Sequence, residues 1–283
     1  MTIYYYNNYH IMTIRIKEIQ AKSIITKSNL PDADFVINPY IGCTHACIYC
    51  YARFMKRFTG HSEERGQFVD VKINAADLVP SNTSKYKDKV IFLASVTDAY
   101  LPLERKYQLT RQILEKLIPL EPNLGVQTKS DLVVRDIDLL KQFQNCEVGF
   151  TISTLDDNLR KEIEPITSSV SDRIKALEEL KNAGIKTYVF VGPIMPYLSD
   201  WKKIILETKH CSDFYMFENL NIKGSIWGSV KKWIQTKHPD LLEKYEKIYF
   251  SKNDYWDKME EEINQFCIEQ NIDYKIYFHH GKK

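Results

Sequence analysis

NPYIGCTHACIYCYARF, residues 38–54, sets Cys43, Cys47 and Cys50 in a C-x3-C-x2-C array directly after the apolar run Phe35–Asn38. Thiolates held this close repel one another unless a cation or a cluster takes them up. Three thiolates on one short loop can hold three irons of a 4Fe-4S cluster and leave the fourth iron without a protein ligand. An open coordination position is what a substrate or cofactor needs in order to be activated by a metal. A structural zinc site is the competing reading, with His45 as fourth ligand. Such sites draw their ligand pairs from two separated knuckles, and this sequence has no second pair.

Outward from the loop, short β-rich runs alternate with amphipathic stretches. Strands are expected at Phe35–Asn38, Val90–Ser95, Leu124–Thr128, Cys146–Ser153, Lys186–Val191 and Phe214–Glu218, and helices at Lys106–Ile118, Asp136–Phe143 and Ser171–Ala183. In the last helix Ile174, Leu177 and Leu180 share one face, Ser171 is the expected cap and Gly184 the stop. The alternation predicts right-handed βαβ units and a parallel sheet. Six repeats are too few for an eight-stranded barrel. They predict an α/β fold, a partial (β/α)6 TIM-like barrel open along one side, with an open doubly wound sheet as the runner-up. In barrels the chemistry sits on loops after strands, and the cysteine loop occupies such a place. Residues 1–30 read as an N-terminal arm with Met12 as a candidate start, 31–220 as the core, and 221–283 as a C-terminal helical extension ending in a strand at Tyr274–Phe278.

The composition is that of an ordinary globular chain. Among 283 residues, 44% are hydrophobic and 27% charged, which excludes wholesale disorder. The net charge of +2 shows no basic excess that would announce a nucleic-acid or membrane partner. No apolar run approaches the roughly 20 residues of a membrane helix, and the N-terminus lacks the pattern of a signal peptide. The expected location is cytoplasmic, where the six cysteines are not a disulfide framework. Cys146, Cys211 and Cys267 read as core residues.

With Tyr49 before the third cysteine, the loop resembles that of radical S-adenosylmethionine (radical SAM) enzymes, whose signature is C-x3-C-x-aromatic-C. Further segments, SVTDAYLPLE, QTKSDLVVRDIDLL, GFTISTLDD, AGIKTYVFVGPIMP and ENLN, resemble the spore photoproduct lyase-like branch, often labelled DNA repair photolyases. The chain also resembles the branch called radical SAM mobile pair proteins. The likeness runs from about Ala21 to the C-terminus. It implies a 4Fe-4S cluster on Cys43, Cys47 and Cys50, and S-adenosyl-L-methionine cleaved to a 5′-deoxyadenosyl radical. The partners it implies are a reductant such as flavodoxin or ferredoxin, DNA as substrate, and a second radical SAM protein. A peptide or small-molecule substrate is the alternative, since the fold hosts many chemistries.

A methionine-type cofactor needs acceptors for its ammonium and a cation for its carboxylate. By this resemblance Ser95, Thr97 and Asp98 stand where many family members carry Gly-Gly-Glu and would meet the ammonium. Lys129 would meet the carboxylate, Ser153 the ribose or carboxylate, and Gly192–Pro196 the adenine, while Tyr49 belongs to the cluster loop. Ser, Thr or Asp after a strand also simply caps the next helix. Tyr51 matches a tyrosine that takes part in radical transfer in spore photoproduct lyase. That enzyme also uses a hydrogen-donating cysteine, whereas the corresponding stretch here, LASVTDAY, has Ala94 or Ser95. A serine O–H is far harder to cleave homolytically than a thiol, so the same dimer reversal is not expected. Arg53, Lys56 and Arg57 form a basic cluster or a solvated face. Trp227, Lys231, Lys232 and Trp233 would either stack on nucleic acid or pack the barrel's open side.

Overall fold

The computed structural model describes residues 2–7, 10–81 and 84–279, with side chains from Thr13 onward. Its strands are β1 (Thr2–Asn7), β2 (His10–Ile19), β3 (Ile25–Lys27), β4 (Phe35–Ile37), β5 (Tyr40–Gly42) and β6 (Phe68–Lys72). They continue as β7 (Val90–Leu93), β8 (Asn123–Thr128), β9 (Cys146–Thr151), β10 (Lys186–Ile194), β11 (Phe214–Asn219) and β12 (Tyr274–Tyr277). The larger sheet runs β12-β11-β10-β9-β8-β7-β4-β3 and is parallel except for β3. Its β4 and β7 to β11 are the six strands expected from the sequence; β12 adds a parallel neighbour and β3 an antiparallel edge. This is the partial TIM-barrel architecture.

The two faces of the sheet differ. Leu124, Val126, Val148, Val189, Val191 and Phe217 are buried in one continuous core with the helix residues Ile113, Leu117, Leu177, Leu180 and Ile204. Each such side chain contributes about 1.5–3 kcal/mol on burial. The opposite, concave face carries Gln127, Thr151, Tyr188 and Glu218. Here the Tyr188 ring lies across Gly149, where any Cβ would stand 2.1 Å from the ring. Tyr188 stacks on Phe214 at 4.9 Å, and its hydroxyl sits 3.3 Å from both the Val126 carbonyl and Gln127 Oε1. It therefore fills the lower part of the barrel.

The second sheet runs β1-β2-β6-β5. In β2, Ile14 and Ile16 are buried while Thr13, Arg15 and Lys17 are exposed, so the period-2 pattern has one apolar face. That face closes a smaller core with Tyr40, Val69, Val71, Leu101 and Leu103. Strand β2 of the expected arm thus pairs with β6, and β3 with β4, both inside the expected core segment. Strand β5 also intervenes between β4 and the cysteine loop.

Local details depart from the sequence reading. Ser169 caps helix Val170–Asn182 by accepting the Asp172 N–H at 3.1 Å, two residues before the expected Ser171. The expected helix Lys106–Ile118 is broken at Gln108, whose φ of 50° separates Glu104–Tyr107 from Leu109–Leu117. Buried Glu104 accepts the Thr110 N–H at 3.0 Å across the break and thereby offsets the lost helical bond.

Helices Ser225–Lys237, Leu242–Phe250 and Tyr255–Glu269 form the extension. Trp233 is buried and donates its indole N–H to Glu162 at 2.9 Å, while Lys231 pairs with Glu246 at 2.8 Å. Trp227 packs against Tyr249 and Phe250. Trp233 is therefore a packing residue and not a stacking platform. Across the open seam, Asp32 accepts hydrogen bonds from Lys275 at 3.1 Å and Tyr277 at 2.6 Å, which fastens β12 to the β3–β4 turn. No helix among the described residues is long and apolar enough to cross a membrane.

Candidate active site

The cysteine loop leaves β5 over the C-terminal ends of the barrel strands. Gly42 begins it with φ 90°, a conformation that favours glycine, and any Cβ there would stand 2.3 Å from the Phe68 carbonyl. The Gly42 carbonyl accepts the Thr97 hydroxyl at 2.5 Å. Gly66 seals the other side, because a Cβ at this position would come within 2.6 Å of the Ala46 methyl. Cys43 and Cys47 are buried and Cys50 is half-buried.

Two cations face these thiols. Burial pushes the Cys43 thiol up to about 11, opposed by the charge of Arg65, and pushes Cys47 well up, opposed by Lys129. Arg65 is itself buried, donating to the Val96 carbonyl at 2.6 Å and the Ala52 carbonyl at 3.4 Å, with Nε unpaired. The Thr44 hydroxyl in the same loop is also buried and unpaired.

His45 is engaged by a carboxylate. Its Nδ1 lies 3.4 Å from Asp98 Oδ2. Among the described residues, no three His, Cys, Asp or Glu side chains converge on a point where one ion could sit. A single-ion zinc site with His45 is not built. Three thiols spread over one loop beside fixed positive charge suit a larger anionic cluster, each thiol taking a different iron.

Of the expected cofactor contacts, several are bound to the protein itself. Asp98 Oδ1 accepts from Thr128 Oγ1 at 2.7 Å and the Tyr100 N–H at 2.9 Å, and Oδ2 accepts the Lys129 N–H at 3.0 Å. Burial raises the Asp98 pKa, but His45 and these donors outweigh it and hold the carboxyl well below its usual range. The Ser153 hydroxyl donates to the Gly192 carbonyl at 3.0 Å, tying β9 to the Gly192–Pro196 run. The Ser95 carbonyl accepts the Tyr51 hydroxyl, and Asn38 approaches the Ser95 hydroxyl at 3.4 Å.

Lys129 differs from these. Its ammonium lies 5.8 Å from the Tyr49 ring and, among the described residues, has no hydrogen bond or ion pair. Burial lowers its pKa, yet Cys47, Glu164 and Asp98 outweigh burial and raise it, so it is charged. Tyr49 is anchored from behind by its hydroxyl on Glu164, which pairs with Arg173. Tyr51 exposes 48% of its surface, but its hydroxyl points inward; burial and the nearby Cys50 and Glu218 push it up to about 12.

The Radical SAM superfamily model matches residues 37–207. This chain belongs to the radical SAM superfamily. Membership makes it an enzyme that cleaves S-adenosylmethionine at a 4Fe-4S cluster. This radical SAM enzyme is 45% identical over 230 residues to an uncharacterised protein of Methanocaldococcus jannaschii, covering 81% of this chain and 86% of that one. It is 24% identical to spore photoproduct lyase of Clostridium acetobutylicum over 61% of this chain and 50% of the lyase. Its fold matches a solved spore photoproduct lyase complexed with dinucleoside spore photoproduct, with TM-score 0.68 at 15% identity over 93% of this chain and 82% of that one.

Sequence reasoning passed over Arg65, Glu164, Arg173 and Glu218. Arg173 left a trace, a basic residue in the apolar stripe with Val170, Leu177 and Leu180. Its guanidinium is 1% exposed and donates to the Thr151 carbonyl at 2.7 Å. Glu218, on the concave face of β11, is pushed up to about 7 by burial, with Lys129 pulling it back. Arg65 lies in an irregular loop, where no period marks it.

Proposed function

We propose that this radical SAM enzyme acts on nucleic acid, modifying or repairing a base, and that Cys43, Cys47 and Cys50 hold its cluster. The observation that carries the cofactor assignment is the set of three thiols on one loop, with the charges of buried Arg65 and half-buried Lys129 acting on Cys43 and Cys47. When bound, the cluster supplies the electron that cleaves S-adenosylmethionine to a 5′-deoxyadenosyl radical.

The chain's own residues divide the remaining work. Lys129 takes the methionyl carboxylate by a charge-assisted hydrogen bond. Asp98, Thr97 and Ser153 position loops: Asp98 fixes His45 and the start of the β8 loop, Thr97 fixes Gly42, and Ser153 fixes the Gly192–Pro196 run that lies under adenine. Ser95 holds the Tyr51 hydroxyl, from which Tyr51 would give its phenolic hydrogen to a substrate-centred radical and regain one from the 5′ C–H of 5′-deoxyadenosine. Sequence likeness to spore photoproduct lyase supports the nucleic-acid substrate. Ala94 or Ser95, in place of a thiol donor, favours a modification or another lesion over the same dimer reversal.

A peptide substrate is the competing reading, favoured by the net charge of +2. The deciding experiment is anaerobic reconstitution with reductant and S-adenosylmethionine, scoring 5′-deoxyadenosine release with intact DNA, ultraviolet-damaged DNA or peptide mixtures. Stimulation by a nucleic acid, with altered bases in the digest, is expected. Release stimulated only by peptide overturns the substrate reading and leaves the cofactor assignment standing.

A further inference from the structure

The helix that follows Cys50 carries an exposed ridge that the cofactor chemistry does not use. Tyr51–Phe58 is a 3-10 helix of sequence YARFMKRF, with three cations and no acid. Phe54 is 45% exposed and Phe58 67% exposed, an unusual pair of uncovered rings on one short segment. Between them the Arg57 guanidinium lies 5.6 Å from the Phe54 centroid and 4.8 Å from that of Phe58. The Tyr51 ring continues the row, 6.5 Å from Phe54 and tilted by 32°.

The cations are not equivalent. Lys56 is paired with Glu64 at 2.9 Å, and the Arg53 side chain is mostly buried with Glu64 at 4.0 Å. Arg57 is exposed and, among the described residues, has no acidic partner. The ridge is therefore a row of π-faces with one uncompensated guanidinium stacked among them.

We propose that this ridge, Tyr51–Phe54–Arg57–Phe58, docks an unpaired strand of nucleic acid, its bases stacking on the rings and its phosphates meeting Arg57. Rings flanking one guanidinium match bases flanking a phosphate on a single strand. An acidic protein surface would use the charge but leave both phenylalanines without a matching group. The position fits as well. Tyr51 begins the ridge and also reaches the loop after β7 through the Ser95 carbonyl, so a strand along the ridge leads toward the cysteine loop. A base must leave its stack to enter a buried site, and the ridge offers the adjacent bases a replacement stack.

The proposal rests on the nucleic-acid reading above, and its test separates the two. Binding of a fluorescein-labelled deoxythymidine oligomer to the reconstituted holoprotein is followed by anisotropy over a range of salt, with iron content checked for each variant. Phe54→Ala with Phe58→Ala should weaken binding about tenfold or more while leaving the salt dependence unchanged. Arg57→Gln should weaken binding and reduce the slope of log K against log salt by about 0.7. Wild-type binding that both variants retain overturns the ridge and spares the substrate reading. No wild-type binding at low salt overturns both. Loss of flavodoxin-driven cluster reduction in the same variants, with oligomer binding intact, reassigns the ridge to a reductant and overturns the proposal.

Discussion

His45 Nδ1 stands 3.4 Å from Asp98 Oδ2, with both side chains nearly closed to solvent. One imidazole thus ties the cysteine loop to the loop after β7, and the Thr128 hydroxyl and Lys129 N–H extend the tie to β8. Asp98→Asn replaces an acceptor oxygen with a donor and leaves buried N–H groups unmatched. We expect a loss of about 2–3 kcal/mol of stability and reduced iron per chain. Thermal unfolding and iron analysis of one preparation check this; a variant matching wild type in both would show that His45 needs no anchor.

Alanine at Cys43, Cys47 or Cys50 should abolish iron and sulfide incorporation. Alanine at Cys146, Cys211 or Cys267 should leave both intact, because Cys211 and Cys267 are packed in the core and Cys146 opens β9 at the far end of the barrel. Colorimetric iron and sulfide assays decide the matter. Equal loss at any of the latter three would refute the three-ligand assignment.

Lys129→Gln removes a charged donor that has no acceptor among the described residues. S-adenosylmethionine affinity should fall roughly 10- to 100-fold, the equivalent of about 1.5–3 kcal/mol, with iron content preserved. Equilibrium dialysis measures it. Unchanged affinity would confine Lys129 to balancing charge around Cys47.

Glu218 gives a pH dependence of defined sign. Its folded pKa of about 7, raised by burial, exceeds the unfolded value of about 4.3. The unfolded chain therefore loses this proton first as pH rises. Stability is full below about pH 4.3, declines up to about 7 and is level above, a loss on the order of 3 kcal/mol. Glu218→Gln should remove that decline, so the variant gains on wild type between pH 5 and 8 in urea titrations. Parallel curves would contradict the shifted carboxyl.

The sheet was legible because helix-face and strand periodicities survive in single residues such as Ile113, Leu117, Val126 and Val189, each fully buried where its period places it. The cluster loop was legible because the thiols are adjacent in sequence. The second sheet was not, since its strands β5 and β6 are five residues or fewer, and β2, which pairs with β6, lies far off in the chain. Among the candidate contacts, residue type could not tell Lys129 from Asp98. One side chain ends with no hydrogen bond or ion pair among the described residues and the other with four polar partners, and that depends on tertiary placement. Arg65 acts through carbonyls of distant loops, which leave no mark in its own neighbourhood.

Tyr188, lying flat over Gly149 and stacked on Phe214, closes the barrel from beneath. With that end plugged by an aromatic ring, a small molecule bound beside the Gly192–Pro196 run approaches from the end that carries the cysteine loop, and a macromolecule docked there would retain it. Shortening the plug, as in Tyr188→Ala, would open a rear exit and let 5′-deoxyadenosine escape while substrate is still bound. Product inhibition would change from a pattern that depends on substrate concentration to one that does not.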